Sequence, residues 1–126
     1  MDLSELSKRA MEIRARFAEL EQAKFRREWT KEEVMQGFVG DVGDLMKLVM
    51  AKSGLRQVAD ADHKLAHELS DCLWSVLVLS QLYGIDLERE FMKTMDELDA
   101  GIAAKKSGPN PAAPATSGPR SSGSGL

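Results

Sequence analysis

The sequence has little of what a disulfide-linked or membrane-spanning chain requires. Its 126 residues contain one cysteine, Cys72, so no disulfide can form within the chain. The longest apolar run, around residues 73–79, is far shorter than the roughly 20 residues that cross a bilayer. The first ten residues carry charges where a signal peptide would be apolar. We therefore expect a cytoplasmic chain with no membrane segment.

Proline is absent from the first hundred residues, and all four prolines follow Lys105. The stretch 105–126 is rich in Gly, Ser, Pro and Ala and has no aromatic or β-branched apolar residue. Such a composition cannot bury enough apolar surface to offset the entropy that is lost on ordering. We therefore predict a folded domain over residues 1–104 and a disordered tail over residues 105–126.

Basic residues are scarce in the middle of the chain. Residues 37–104 hold twelve acidic and six basic side chains, although the net charge of the whole chain is only -3. A stretch of this sign repels a phosphate backbone unless a cation intervenes. Direct nucleic-acid binding is therefore not expected, and a cation site is favoured.

The sequence before the tail has the periodicity of α-helices: apolar residues recur every three or four positions. We predict four helices with short connections, which is an all-α fold built as a four-helix bundle. The four apolar stripes are Leu3, Leu6, Ala10, Ile13, Phe17 and Leu20; Val34, Phe38, Val42, Leu45 and Val49; Leu65, Leu69, Leu73, Val76 and Leu79; and Leu87, Phe91, Met95, Leu98 and Ile102.

Residue types at the predicted helix ends support the prediction of four helices. Thr30 precedes the second helix, and Glu33 stands where it would complete a capping box. The same helix should stop near Gly54, and Gly84 suits the residue that follows the third helix. Asp86 is a suitable N-cap for the fourth helix.

Two acidic pairs stand in otherwise apolar sequence, and they are the strongest functional signal. Asp41 and Asp44 lie on the second helix, and Glu68 and Asp71 lie on the third. A spacing of three residues places both acids of a pair on one helical face. Four carboxylates that converge where water is scarce would need a counter-ion. Oxygen ligands of this kind favour Mg²⁺ or Mn²⁺.

A simpler interpretation remains open, because an acidic pair on a helix is often only a solvated face. Gly40 and Gly43 flank Asp41, and each costs about 1 kcal/mol relative to alanine inside a helix. Such glycines allow either a ligand or another helix to approach closely. The residues alone do not distinguish a ligand site from a solvated acidic face or from close packing of two helices.

The acidic motifs resemble those of the MazG-like all-α nucleoside triphosphate pyrophosphatases. Residues 39–45 read VGDVGDL, residues 67–74 read HELSDCLW, and residues 83–87 read YGIDL. The family carries E-x-x-E on one helix and E-x-x-D on the next, and the branch most similar to this chain is the dCTP-pyrophosphatase-like branch. The similarity covers roughly residues 15–100.

The resemblance implies a Mg²⁺-dependent enzyme, with Mn²⁺ as a possible substitute, that cleaves a nucleoside triphosphate to a monophosphate and pyrophosphate. It also implies a homodimer or homotetramer that completes the helical bundle. The family's catalytic metal ligands correspond to Asp41, Asp44, Glu68 and Asp71. Phe25 and Trp29 stand where that branch has base-pocket residues, although both could instead be packing residues.

Some positions depart from the family pattern. Both acids of the second helix are Asp where the family generally has Glu, so a metal would lie closer to that helix. Thr94 and Leu98 stand where the family's fourth helix has Lys and Asn that help to hold phosphates. Lys93 is one residue away and is the candidate substitute. The alternative function is therefore a catalytically weak relative that binds metal and nucleotide, or a helical interaction protein.

Overall fold

The computed structural model describes residues 1–106, and these form four α-helices with no strand among them. The helices are α1 (Leu3–Phe25), α2 (Lys31–Lys52), α3 (Ala61–Leu82) and α4 (Leu87–Lys106). The prediction of an all-α chain with four helices is therefore confirmed. Within the described residues, none of these helices combines the length and the hydropathy needed to span a membrane.

The chain divides into two units, residues 1–90 and residues 91–126. The first unit contains α1, α2, α3 and the first turn of α4. The described part of the second unit is helical from Phe91 to Lys106. The predicted tail lies outside the described residues, apart from Lys105 and Lys106 in the last turn of α4.

The predicted helix ends are found in the structure. The Thr30 hydroxyl accepts a hydrogen bond from the Glu33 amide at 3.2 Å, and a Glu33 carboxylate oxygen accepts one from the Thr30 amide at 3.0 Å. This is the expected capping box. Gly84 follows α3 with φ at +67°, a conformation that glycine adopts without strain. The Asp86 carboxylate accepts a hydrogen bond from the Arg89 amide at 3.2 Å and so caps α4.

The small core of the first unit is centred on α3, which packs against both α1 and α2. Val78 of α3 is fully buried and clusters with Ala10 of α1 and Val34 of α2. The Trp74 indole N–H donates a hydrogen bond to the carbonyl oxygen of Ala10 at 3.2 Å. These contacts set the position of α2 beside α3, and therefore the positions of the acids that the two helices carry.

Some residues of the predicted apolar stripes are exposed. Val42 and Val49 of α2 keep 45% and 47% of their surface accessible, whereas Val34 and Leu48 are buried. Helix α2 thus carries apolar side chains on two adjoining faces, and the described chain buries only one of them. Periodicity identifies apolar positions, but it does not tell which of the faces finds a neighbour.

Candidate metal centre

Three carboxylates from two helices converge in the first unit. Asp41 and Asp44 project from α2 one turn apart, and Glu68 projects from the facing helix α3. One oxygen atom from each side chain lies within 4.8 Å of the other two. Oxygen atoms at such distances can share one small cation, and a purely carboxylate donor set suits Mg²⁺ or Mn²⁺. The structure thus brings three of the four predicted ligands together.

The fourth predicted ligand, Asp71, has a different contact in this structure. One of its carboxylate oxygens lies 3.2 Å from Nε2 of His67, one turn earlier on α3. Asp71 is outside the group of three, although its charge contributes to raising the pKa of Asp41. Its role as a metal ligand stays a prediction.

The electrostatics of the three-carboxylate group favour a bound cation. Burial raises the pKa of Asp41 and of Glu68, and the charges of neighbouring carboxylates raise both pKa values further. Among the described residues, the buried Oε1 atom of Glu68 has no hydrogen-bond partner. A buried carboxylate oxygen without a partner is costly, and a hard cation would satisfy it.

Cys72 follows the carboxylates on α3 but is a poor candidate for a metal ligand. Burial raises the pKa of its thiol, and the charges of Asp41, Glu68 and Asp71 raise that pKa further. A thiolate, which is the form that binds metal, is therefore disfavoured here. The donor chemistry of this site remains that of oxygen.

Space beside the carboxylates is open. Apart from the adjoining residues and backbone of α2 itself, a Cβ atom built on Gly40 or on Gly43 would meet no atom of the described chain within 4 Å. The two glycines therefore do not mediate close packing between helices of this chain. The open surface next to Asp41 leaves room for a ligand or for a second protein chain.

The carboxylates border a pocket of about 560 Å³ that sequence analysis missed. Asp44 and Glu68 form part of its wall, together with the basic side chains of Lys47, Arg56 and Lys64. A signal was present in the spacing, since Lys47 follows Asp44 by three residues and Lys64 precedes Glu68 by four. Each lysine therefore shares a helical face with a candidate ligand.

The backbone of Trp29, a predicted substrate contact, is held in place just before α2. Its amide donates a hydrogen bond to Glu21 at 2.6 Å, and its carbonyl oxygen accepts one from Arg14 at 2.9 Å. The indole ring lies over Gly37, because a Cβ atom there would be 3.3 Å from Cζ3 of the ring. Gly37 is one turn before Asp41 on α2, and Trp29 keeps 40% of its surface exposed.

The other two predicted substrate contacts are less constrained by the structure. Phe25 ends α1 and is exposed, and the Lys24 ammonium lies 5.4 Å from the centre of its ring. Lys93 lies on α4 in the second unit. The roles of Phe25 and Lys93 in substrate binding stay predictions.

Residues 29–99 match the family model described as the MazG nucleotide pyrophosphohydrolase domain. The matched stretch is more than half of the chain and includes all four predicted acidic ligands, so the chain belongs to the MazG family. Membership supports nucleotide pyrophosphohydrolase chemistry in general, with a nucleotide as substrate, and hydrolases of this family generally use divalent metals. Searches of curated proteins and of solved structures found no match.

We predict that Asp41→Asn stabilises the metal-free protein near neutral pH. The folded-state pKa of Asp41 lies above its ordinary value of 3.8, so the folded protein binds the proton more tightly than the unfolded chain does. The stability that this proton contributes is complete below pH 3.8 and is lost as the pH rises through the folded-state pKa. Thermal denaturation in a chelator should show a higher Tm for the variant near pH 7 and no difference below pH 3.8.

The matched control is Asp99→Asn, which removes an exposed carboxylate of α4 outside the group. This control should not reproduce the pH-dependent gain. A lower Tm for Asp41→Asn near neutral pH would contradict the electrostatic interpretation.

Proposed function

We propose that this chain is a Mg²⁺-dependent nucleoside triphosphate pyrophosphohydrolase, with Mn²⁺ as a working substitute. It would cleave an NTP or dNTP to the corresponding monophosphate and pyrophosphate. The observation that carries the proposal is the convergence of Asp41, Asp44 and Glu68 within 4.8 Å inside a MazG domain. The buried, unpartnered oxygen of Glu68 supports it, since a cation would complete that atom's contacts.

In this proposal Asp41, Asp44 and Glu68 would hold the ion, with Asp71 as a fourth ligand in place of its contact with His67. Mg²⁺ held there would neutralise charge on phosphate oxygens and make a bound water molecule more acidic. Because both α2 ligands are aspartates with short side chains, they would hold the ion closer to α2 than glutamates would.

The reaction is a displacement at the α-phosphorus. The oxygen of water bonds to that phosphorus while the bond to the α,β-bridging oxygen breaks, and the electron pair of the broken bond leaves with pyrophosphate. A carboxylate must accept the proton from the water. Asp41, Asp44, Glu68 and Asp71 are the candidates, and the base would be a carboxylate oxygen that is not bound to the ion.

Trp29 stacks against the nucleotide base, with Phe25 as a second aromatic contact and Lys93 as a candidate phosphate contact. Glu21 and Arg14 hold the Trp29 backbone, and Gly37 supports its ring one turn from Asp41. A half-exposed indole that is already positioned loses little entropy when a base stacks on it.

The first test is pyrophosphate release from a panel of NTPs and dNTPs with and without Mg²⁺. Asp44→Asn and Glu68→Gln should each lower kcat/KM by more than about 100-fold, since loss of a direct ligand exceeds the usual cost of losing an outer contact. Glu19→Gln removes an exposed acid of α1 and should leave the activity unchanged. Mg²⁺-dependent turnover that survives in both variants would refute the assignment.

Measuring the Tm with and without Mg²⁺, together with pyrophosphate release, separates the proposal from its alternative. Mg²⁺ that binds the folded chain must raise its Tm, by mass action. A rise in Tm without pyrophosphate release from any nucleotide would favour the catalytically weak metal- and nucleotide-binding relative. Absence of both effects would favour a helical interaction protein.

Replacement of the proposed stacking residue tests base binding. Trp29→Ala should raise KM about tenfold, because stacking of a base on an aromatic ring contributes roughly 1–3 kcal/mol. The value of kcat should change much less, since the ring does not contact the reacting phosphate. Leu20→Ala, which removes another exposed apolar side chain, should leave KM unchanged. Equal KM values for Trp29→Ala and the wild type would exclude the stacking role.

Self-association completes the proposal. Helix α2 carries an exposed apolar stripe with a 4-3-4-3 spacing, which is the pattern of a helix that packs along another helix. The stripe consists of Met35, Val39, Val42, Met46 and Val49. We propose that this stripe lies in the interface of a homodimer or homotetramer.

Sedimentation velocity should give two or four times the chain mass of 13.9 kDa. The double variant Val39→Glu/Met46→Glu places two charges in the stripe and should shift the protein towards the monomer. Gln36→Glu adds a charge to α2 outside the stripe and is the control. A wild-type monomer at all concentrations would rule out the interface.

A further inference from the structure

The pocket beside the carboxylates is bounded by three consecutive segments of the first unit. Lys47 comes from the last turns of α2, Arg56 from the loop between α2 and α3, and Lys64 from the first turn of α3. Asp44 and Glu68 form the end of the pocket that adjoins the candidate metal centre. Its volume of about 560 Å³ lies in the usual range of roughly 300–1,000 Å³ for small-molecule sites.

The charge of this pocket differs from that of its surroundings. Residues 37–104 have twice as many acidic as basic side chains, yet three of the six basic ones line this pocket. Among the described residues, the side chains of Arg56 and Lys64 form no ion pair, whereas the nearby Lys52 pairs with Asp62. Lys47 has only a solvent-exposed contact of 3.8 Å with Asp44, and such pairs are weak. These cations are therefore available to an anion.

We propose that Lys47, Arg56 and Lys64 bind the β- and γ-phosphates of the substrate, and hence the leaving pyrophosphate. This inference rests on the proposed function and assigns residues that the sequence analysis did not consider. The planar guanidinium of Arg56 can donate two parallel hydrogen bonds to one phosphate. Lys47 of α2 and Lys64 of α3 each add a compact positive charge to the pocket wall.

This assignment fixes the direction in which the nucleotide lies along α2. The Trp29 ring covers Gly37, the carboxylates follow at Asp41 and Asp44, and the basic pocket begins at Lys47. Gly37 and Lys47 are ten residues apart, which is about 15 Å of helix. The base therefore lies towards the start of α2 and the pyrophosphate towards its end, with the α-phosphate beside the carboxylates.

The test uses inorganic pyrophosphate as the probe, titrated calorimetrically into the full chain in saturating Mg²⁺. Arg56→Gln and Lys64→Gln should each weaken pyrophosphate binding about tenfold, as expected for the loss of a charged hydrogen bond. Both side chains are exposed, so the fold should persist, and the Tm shift caused by Mg²⁺ alone should remain. A nucleoside monophosphate, which lacks the two outer phosphates, should bind both variants as it binds the wild type.

The matched controls are Arg16→Gln and Lys8→Gln, which remove exposed cations of α1 outside the pocket and should not affect pyrophosphate binding. Wild-type affinity in both pocket variants, or no binding of pyrophosphate by the wild type, would overturn the inference even in an active enzyme. Selective weakening in a chain that hydrolyses no nucleotide would support the anion pocket while the proposed enzyme activity fails. The two proposals are thus separable.

Discussion

Mutual repulsion of carboxylates on two packed helices is the constraint on which the proposed site depends. Asp41, Asp44 and Glu68 approach within 4.8 Å, and burial and neighbouring charges raise the pKa of Asp41 and Glu68. Such a group is tolerable when a divalent cation shares the oxygens or when protons neutralise some of them. The repulsion that weakens the metal-free fold is therefore what would give the site its affinity for a hard cation.

Packing around α3 supplies the rigidity that this arrangement needs. The cluster of Val78, Ala10 and Val34 holds α1 and α2 against α3, so the acids of α2 and α3 meet at a fixed register. A small core with many exposed apolar side chains offers modest stability for one chain. Self-association would bury part of that surface and support the same helices.

Local features were predictable because they depend on neighbours in the sequence. The capping box of Thr30 and Glu33, the glycine after α3 and the face shared by Asp41 and Asp44 follow from helix geometry alone. Sequence places His67 and Asp71 one turn apart on α3, but it does not distinguish a contact between them from the role of metal ligand that was expected for Asp71.

The amino-acid sequence by itself determined the helices, their ends and the candidate acids, since each depends on contacts within a turn or two of helix. Only the tertiary structure decided that Glu68 meets the α2 acids and that Lys47, Arg56 and Lys64 surround one pocket. It also decided which apolar face of α2 is covered. These outcomes depend on how two helices and a loop lie in space, which helical periodicity does not encode.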